Sequence, residues 1–88
     1  MLEKQIEQYL NQRVKQAGGL SYKWISTVTG VPDRIVLLNK KVHFVELKTA
    51  KGILSPRQQV VFRDLESQGF TTSVIRSKSD VESFISGC

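Results

Sequence analysis

Two β-rich runs separated by only three residues constrain the fold of this chain more than any other feature. The first run covers residues 33–38 and the second covers residues 42–48, with the turn-like Asn39-Lys40-Lys41 between them. This pattern predicts an antiparallel hairpin. With Asn39 and Lys40 as the two loop residues, counting outward along both strands places Asp33 directly opposite Glu46.

The predicted hairpin brings charged side chains together on one face. Directly opposed residues have Cβ atoms about 4.5–5.5 Å apart, so the carboxylates of Asp33 and Glu46 repel each other unless a cation lies between them. Lys48 follows Glu46 by two residues and points to the same face. Oxygen ligands of this kind suit Mg²⁺ or Mn²⁺, and an adjacent ammonium stabilises charge on a phosphate. The residue set is therefore typical of a metal-dependent phosphodiesterase.

The remaining sequence predicts one mixed α/β domain over residues 1–88. Apolar residues at helical spacing predict a first helix over 2–17, ended by Gly18-Gly19. A strand is predicted over 20–26, before the hairpin. Ser55-Pro56-Arg57-Gln58 forms a capping box that begins a second helix ending near Gln68. A fourth strand over 71–75 and a last helix opening at Ser79 complete the order αβββαβα, with a sheet that helices flank on both apolar faces.

Composition favours a polyanionic partner. Thirteen Lys and Arg against eight Asp and Glu give a net charge of +5, which attracts nucleic acid. Seven of these basic residues lie in predicted turns or on predicted helices after the hairpin begins and predict a patch: Lys40, Lys41, Lys51, Arg57, Arg63, Arg76 and Lys78. We expect no membrane span and no signal peptide, and the single Cys88 fits a reducing compartment. A cytoplasmic location, in a bacterium or a phage-infected host cell, is expected.

The order of elements and motifs resembles the PD-(D/E)xK nuclease superfamily. Within it, the chain looks like the VRR-NUC family, the virus-type replication and repair nucleases. The residues that carry this resemblance are Gly-Gly-Leu at 18–20, Gly-Val-Pro-Asp-Arg-Ile-Val-Leu at 30–37, Phe-Val-Glu-Leu-Lys at 44–48 and Leu-Ser-Pro-Arg-Gln at 54–58. The resemblance implies metal-dependent cleavage of DNA. It further implies a stand-alone, Holliday-junction-resolvase-like type that works as a homodimer on branched DNA.

The resemblance also implies roles for further residues. Glu3, in a Glu-x-x-Ile pattern, would be an additional acidic residue near the metal, with Glu7 one turn away as its competitor. The backbone carbonyl of Leu47 would be a metal ligand beside Asp33 and Glu46. Gln58 would lie near the active site and substrate phosphates; it could instead serve as a helix cap, or have both roles. Lys48 would position the attacking water, or would simply balance the negative charge of the two carboxylates.

Two other functions remain open from the sequence. The chain could be a DNA-binding module that does not cleave, or a nuclease that nicks duplex or trims flaps within a replication-repair complex. His43 falls on the hairpin face opposite the carboxylates and is expected to be structural. Tyr22 and Trp24 could stack on unpaired bases, although core packing is the better interpretation for Trp24. No phosphate-binding loop of a nucleotide cofactor occurs in the sequence.

Overall fold

A computed structural model describes residues 2–88, which form a four-stranded mixed sheet with three helices. The elements are α1 (Glu3–Gln16), β1 (Leu20–Lys23), β2 (Arg34–Leu38), β3 (Lys41–Leu47), α2 (Pro56–Ser67), β4 (Thr71–Ile75) and α3 (Lys78–Gly87). The strands lie in the order β1-β2-β3-β4. The first three are antiparallel and β4 is parallel to β3, so α2 is the crossover helix. The predicted order αβββαβα and mixed α/β class are confirmed.

The hairpin has the predicted register. Leu38 pairs with Lys41 and Arg34 pairs with Val45, so continuing by one residue sets Asp33 across from Glu46. Asn39 and Lys40 have φ angles of 54° and 63°. Positive φ at both loop residues characterises the two-residue turn whose twist matches that of the flanking strands. The short turn therefore fixes which side chains meet at the far end of the hairpin.

The main core lies between one face of the sheet and two helices. Alternating residues of β2 and β3 and one residue of β4 supply the sheet side, and α1 and α3 supply the helix side. The cluster consists of Ile6, Leu10, Val14, Val36, Leu38, Val45, Leu47, Ile75 and Val81. Burial of each large aliphatic side chain contributes about 1.5–3 kcal/mol. The carboxylates point away from this core, because successive side chains of a strand alternate between faces.

The opposite face of the sheet is covered only in part. The crossover helix α2 packs beside β4, and Trp24, Phe44 and Phe70 form a chain of ring contacts with centroids 5.4 and 5.5 Å apart. Leu20 and Tyr22 of the edge strand β1 remain more than half exposed on this face. Helices flank both faces of the sheet, as predicted, but the single helix α2 is too narrow to cover all four strands and leaves the β1 side of its face open.

Two element boundaries also differ from the sequence prediction. The first strand ends at Lys23 rather than residue 26, because β2 begins opposite it at Arg34. The last helix begins at Lys78, and its N-cap is Ser77 rather than Ser79. The Ser77 hydroxyl accepts the backbone N–H of Asp80 at 3.1 Å, which satisfies one of the free donors of the first turn.

Candidate metal and active site

Glu46 is a buried carboxylate near the end of the central strand β3. Its side chain is 4% exposed. Oε2 accepts a hydrogen bond from Gln58 Nε2 at 3.0 Å and lies 3.3 Å from Lys48 Nζ. Oε1 is buried and has no hydrogen-bond partner among residues 2–88. A buried oxygen left in this state is costly, and such a group requires an explanation such as an ion.

Asp33 is fixed beside Glu46 by the end of the hairpin. Its Oδ2 accepts the backbone N–H of Leu47 at 2.8 Å, and its own carbonyl accepts the N–H of Trp24 at 2.8 Å. Burial raises the pKa of the Glu46 carboxyl, and the nearby negative charge of Asp33 raises it further. The Lys48 ammonium and the Gln58 amide oppose this pKa shift. The predicted pairing of two carboxylates with an adjacent ammonium is therefore present.

Gln58 uses both ends of its side-chain amide. Its Oε1 accepts the N–H of Ser55 at 2.9 Å, and its own backbone N–H donates to Ser55 Oγ at 3.1 Å, which closes the predicted capping box. Its Nε2 donates to Glu46. The sequence left open a capping role, a place beside the carboxylates or both, and the structure has the cap together with a contact to Glu46. The cap holds the amide in position to contact the acid.

A cleft of about 430 Å³ opens beside Asp33. Its walls are formed by Glu3, Lys4, Glu7, Lys23, Asp33 and Leu47. Glu3 is exposed at this cleft, whereas Glu7 forms an ion pair with Arg34 at 2.9 Å. No three His, Cys, Asp or Glu side chains within residues 2–88 are grouped closely enough to hold an ion. Glu3 thus shares the cleft with Asp33 and Leu47 but does not complete a three-carboxylate cage.

The donor set nevertheless fits a hard divalent cation. Two carboxylates lie together, and one of them has a buried oxygen without a partner in residues 2–88. A cation relieves the mutual repulsion of such a pair. No zinc-type cluster of His and Cys occurs in the described residues. Carboxylate and carbonyl oxygens instead match Mg²⁺ or Mn²⁺. The geometry can therefore hold a cation next to an ammonium and an amide donor.

Two solved structures with this arrangement of elements are described as VRR-NUC domains. A structure described as "VRR_NUC domain" matches with a TM-score of 0.89 and 26% identity, covering 96% of this chain and 94% of that one. The chain has the VRR-NUC fold. A second, "VRR_NUC domain protein", matches with a TM-score of 0.79 and 15% identity, over 98% of this chain and 86% of that one. The second likeness concerns the fold alone, and the predicted resemblance to VRR-NUC domains is confirmed.

A sequence relative carries a nuclease name. "Putative nuclease p44" of Acyrthosiphon pisum secondary endosymbiont phage 1 is 43% identical over 58 residues. The match covers 64% of this chain and spans 62% of the relative. No family model matches the chain. The VRR-NUC fold and the name of this relative both indicate a nuclease.

An arginine network beside the two carboxylates was missed by the sequence analysis. Arg34 is 8% exposed. Its Nη1 donates to Glu7 at 2.9 Å and its Nε donates to Ser21 Oγ at 2.8 Å, while Ser21 in turn donates to Asn11. A charged residue in the apolar run Arg-Ile-Val-Leu-Leu was the available signal, because a buried guanidinium requires partners. The network ties α1 to the strand that follows Asp33.

The remaining candidate residues divide between core and surface. His43 is buried on the core face, with Nδ1 2.8 Å from Thr71 Oγ1 and its ring against Phe84. Trp24 packs on Phe44, which agrees with the core interpretation, and Tyr22 is 55% exposed.

The predicted basic patch is divided. Lys40 and Lys41 lie at the hairpin turn, at the opposite end of the strands from Glu46.

The described residues contain no helix long and apolar enough to cross a bilayer.

Proposed function

We propose that this VRR-NUC chain is a metal-dependent, structure-selective DNA endonuclease that hydrolyses phosphodiester bonds in Holliday junctions or other branched DNA. The observation that carries this proposal is the buried Glu46 carboxylate, which stands beside Asp33 with one oxygen unpartnered. The nuclease name of the phage relative and the fold of the VRR-NUC neighbours support the reaction class. The net charge of +5 supports a polyanionic substrate.

Asp33, Glu46 and the Leu47 carbonyl would hold the Mg²⁺ or Mn²⁺ ion. A divalent ion in such a site lowers the pKa of a water and neutralises charge on the phosphate. Glu3 lines the same cleft and would assist through an intervening water, because it lies outside direct grouping with the other two carboxylates. Glu7 is a weaker candidate than Glu3, since its carboxylate is already paired with Arg34.

Lys48 and Gln58 supply donors on the other side of Glu46. The Lys48 ammonium is 3.3 Å from Glu46 and its side chain is 21% exposed, so it can reach a phosphate that enters from solvent. There it orients the attacking water and stabilises negative charge that develops on the phosphate oxygens. The Gln58 amide holds the Glu46 carboxylate and lies at the N-terminus of α2, where partial positive charge favours a phosphate.

A homodimer accompanies this proposal. The apolar side chains that α2 leaves uncovered on β1, Leu20 and Tyr22, are 54% and 55% exposed, and a second subunit would bury them. A symmetric dimer presents two sites to two strands, as junction resolution requires. We place the enzyme in the cytoplasm of a bacterium or phage-infected host. The lone Cys88 and the phage origin of the relative support that location.

Cleavage of a labelled four-way junction beside a linear duplex tests the proposal. The assays contain Mg²⁺, Mn²⁺ or EDTA, and they compare wild type with Lys48→Met and with Lys15→Met as a control on the exposed end of α1. We expect paired cuts near the branch that require metal, disappear in Lys48→Met and persist in Lys15→Met.

Three other results would each reject part of the proposal. Binding without cleavage under every metal condition would indicate a DNA-binding module. Metal-dependent cleavage without preference for the junction would indicate a duplex or flap nuclease. Full activity of Lys48→Met would remove the lysine from the mechanism. Sedimentation of the protein at several concentrations tests the dimer separately.

A further inference from the structure

The loop between β3 and α2, residues 48–55, carries an isoleucine that is almost completely exposed. Ile53 is 80% exposed, although isoleucine is among the residues most often found inside proteins. Single exposed apolar residues are common and by themselves indicate nothing. Ile53 differs in its position, because its loop begins at Lys48, whose ammonium contacts Glu46.

The loop is held in place from both sides. Arg76, which follows β4, donates from Nη1 to the carbonyl of Thr49 at 3.2 Å and to the carbonyl of Gly52. On the inner side, Gly52 packs against the stem of Lys48, so that a Cβ at this position would lie 3.4 Å from Lys48 Cβ and Cδ. Ile53 therefore projects from a clamped loop that covers the stem of the proposed catalytic lysine.

Charge around the loop favours nucleic acid over an apolar protein partner. Lys51 is exposed two residues before Ile53, and Arg57 is exposed on the first turn of α2, which follows the loop. Arg57 also donates to the carbonyl of Thr29 at 3.2 Å. An isolated apolar side chain flanked by cations resembles the wedges that DNA-bending proteins insert between stacked bases while cations hold the phosphates.

We infer that Ile53 is a wedge that enters between the bases next to the scissile phosphate. This inference rests on the proposed nuclease function and identifies a source of its preference for branched DNA. Separating two stacked bases costs free energy. This cost is lowest where the bases are already unpaired or unstacked. Continuous stacking is interrupted where the arms of a branched DNA meet, so a step there opens at lower cost than a step within a linear duplex. Ile53 would thus add favourable contact to branched DNA and little to duplex DNA.

The loop between β1 and β2 provides a matched control residue. Ile25 is 85% exposed, so its replacement by alanine removes the same side chain from an equally exposed position. It is not on the loop that covers Lys48. Arg76→Gln is a second test variant. It weakens the contacts of Arg76 with the Thr49 and Gly52 carbonyls, which hold the loop, but keeps the isoleucine side chain at position 53. Neither Ile53 nor Ile25 packs in the core, so neither alanine variant should affect folding.

The experiment uses four-way junction and linear duplex DNA with 2-aminopurine next to the mapped cut, or next to the branch if no cut is found. Fluorescence is read with Ca²⁺ in place of Mg²⁺, and cleavage is read with Mg²⁺. Wild type should increase the fluorescence of the junction. Ile53→Ala should abolish that increase and lower the ratio of junction to duplex cleavage about tenfold. Arg76→Gln should act in the same direction, and Ile25→Ala should match wild type.

The outcomes separate this inference from the proposed function. If wild type cleaves and Ile53→Ala retains both the fluorescence increase and the junction preference, the wedge is rejected while the nuclease stands. If wild type cleaves nothing yet shows an increase that Ile53→Ala lacks, the wedge is supported and the nuclease fails. Binding of wild type without any fluorescence increase rejects the wedge in either case.

Discussion

Replacing the buried Glu46 by glutamine should stabilise the protein in the absence of metal. The carboxylate is buried beside Asp33 and one of its oxygens has no partner among the described residues. Its charge is therefore poorly solvated in the folded state, whereas water hydrates the same charge in the unfolded chain. Glutamine keeps the size of the side chain and removes the charge. Because Glu46 is proposed to bind the metal, the same change should abolish the stabilisation that Mg²⁺ or Mn²⁺ gives to wild type.

The size of the effect follows from the contacts of Glu46. A buried polar group left without a partner costs about 1–3 kcal/mol, and more if it is charged; glutamine keeps the first cost and removes only the excess due to charge and to repulsion by Asp33. Loss of the ion pair with Lys48, which is partly solvated, offsets some of this. We therefore expect a gain of about 1–2 kcal/mol at neutral pH in EDTA. For a domain of this size each kcal/mol corresponds to about 4–8 °C in Tm.

The pH dependence of this difference has a definite sign. Burial and Asp33 raise the pKa of Glu46 in the folded state. A raised carboxyl pKa contributes stability that is present when the group is protonated and is lost as pH rises through the folded pKa. The advantage of Glu46→Gln over wild type should therefore grow from acid towards neutral pH.

Thermal unfolding in EDTA and in excess Mn²⁺ measures these effects. Asp64→Asn is the control, since it makes the same chemical change at an exposed position of α2. The reasoning is refuted if Glu46→Gln is less stable than wild type in EDTA. It is also refuted if Mn²⁺ raises the Tm of wild type and of Glu46→Gln equally.

Three further changes test other parts of the structure. The pKa of Glu82 is lowered to about 2, chiefly by hydrogen bonds from Arg13 and Tyr9; the resulting stability should be lost as pH falls from the ordinary glutamate range towards 2. Glu82→Gln should lack that loss in denaturant titrations, and an identical pH profile would contradict this. Arg34→Met should destabilise by about 1–3 kcal/mol in urea, because Glu7 loses its partner, and adding Glu7→Gln should restore part of the loss; no recovery would reject the pair. Leu10→Ala should cost about 2–5 kcal/mol in the same assay, and a cost below 1 kcal/mol would contradict its place in the core.

The hairpin could be predicted from sequence because local chemistry determines it. Asn39 and Lys40 form a two-residue turn, and the length of that turn fixes the register of the flanking strands. Asp33, Glu46 and Lys48 follow from that register. The capping role of Gln58 was also predictable, because a capping box specifies the position of its side chain relative to Ser55. Its place near the carboxylates was expected only from the family resemblance.

Features that depend on contacts distant in sequence were not predictable. The pairing of Arg34 with Glu7 joins a strand to a helix 27 residues earlier, and nothing local indicates which glutamate of α1 faces β2. The same pairing distinguishes Glu7 from Glu3 at the cleft. Ser77 and Ser79 both precede acidic residues at capping distance, and only the end of β4 at Ile75 decides in favour of Ser77.

Mn²⁺ binding to wild type and Glu46→Gln tests the central claim most directly. The claim is that the unpartnered oxygen of Glu46 is a ligand of a divalent cation needed for cleavage. Electron paramagnetic resonance of free Mn²⁺ measures binding without DNA, and circular dichroism verifies that both proteins are folded. The account predicts that wild type binds Mn²⁺, that folded Glu46→Gln does not, and that cleavage is lost with binding. Equal Mn²⁺ binding by the two proteins would contradict it.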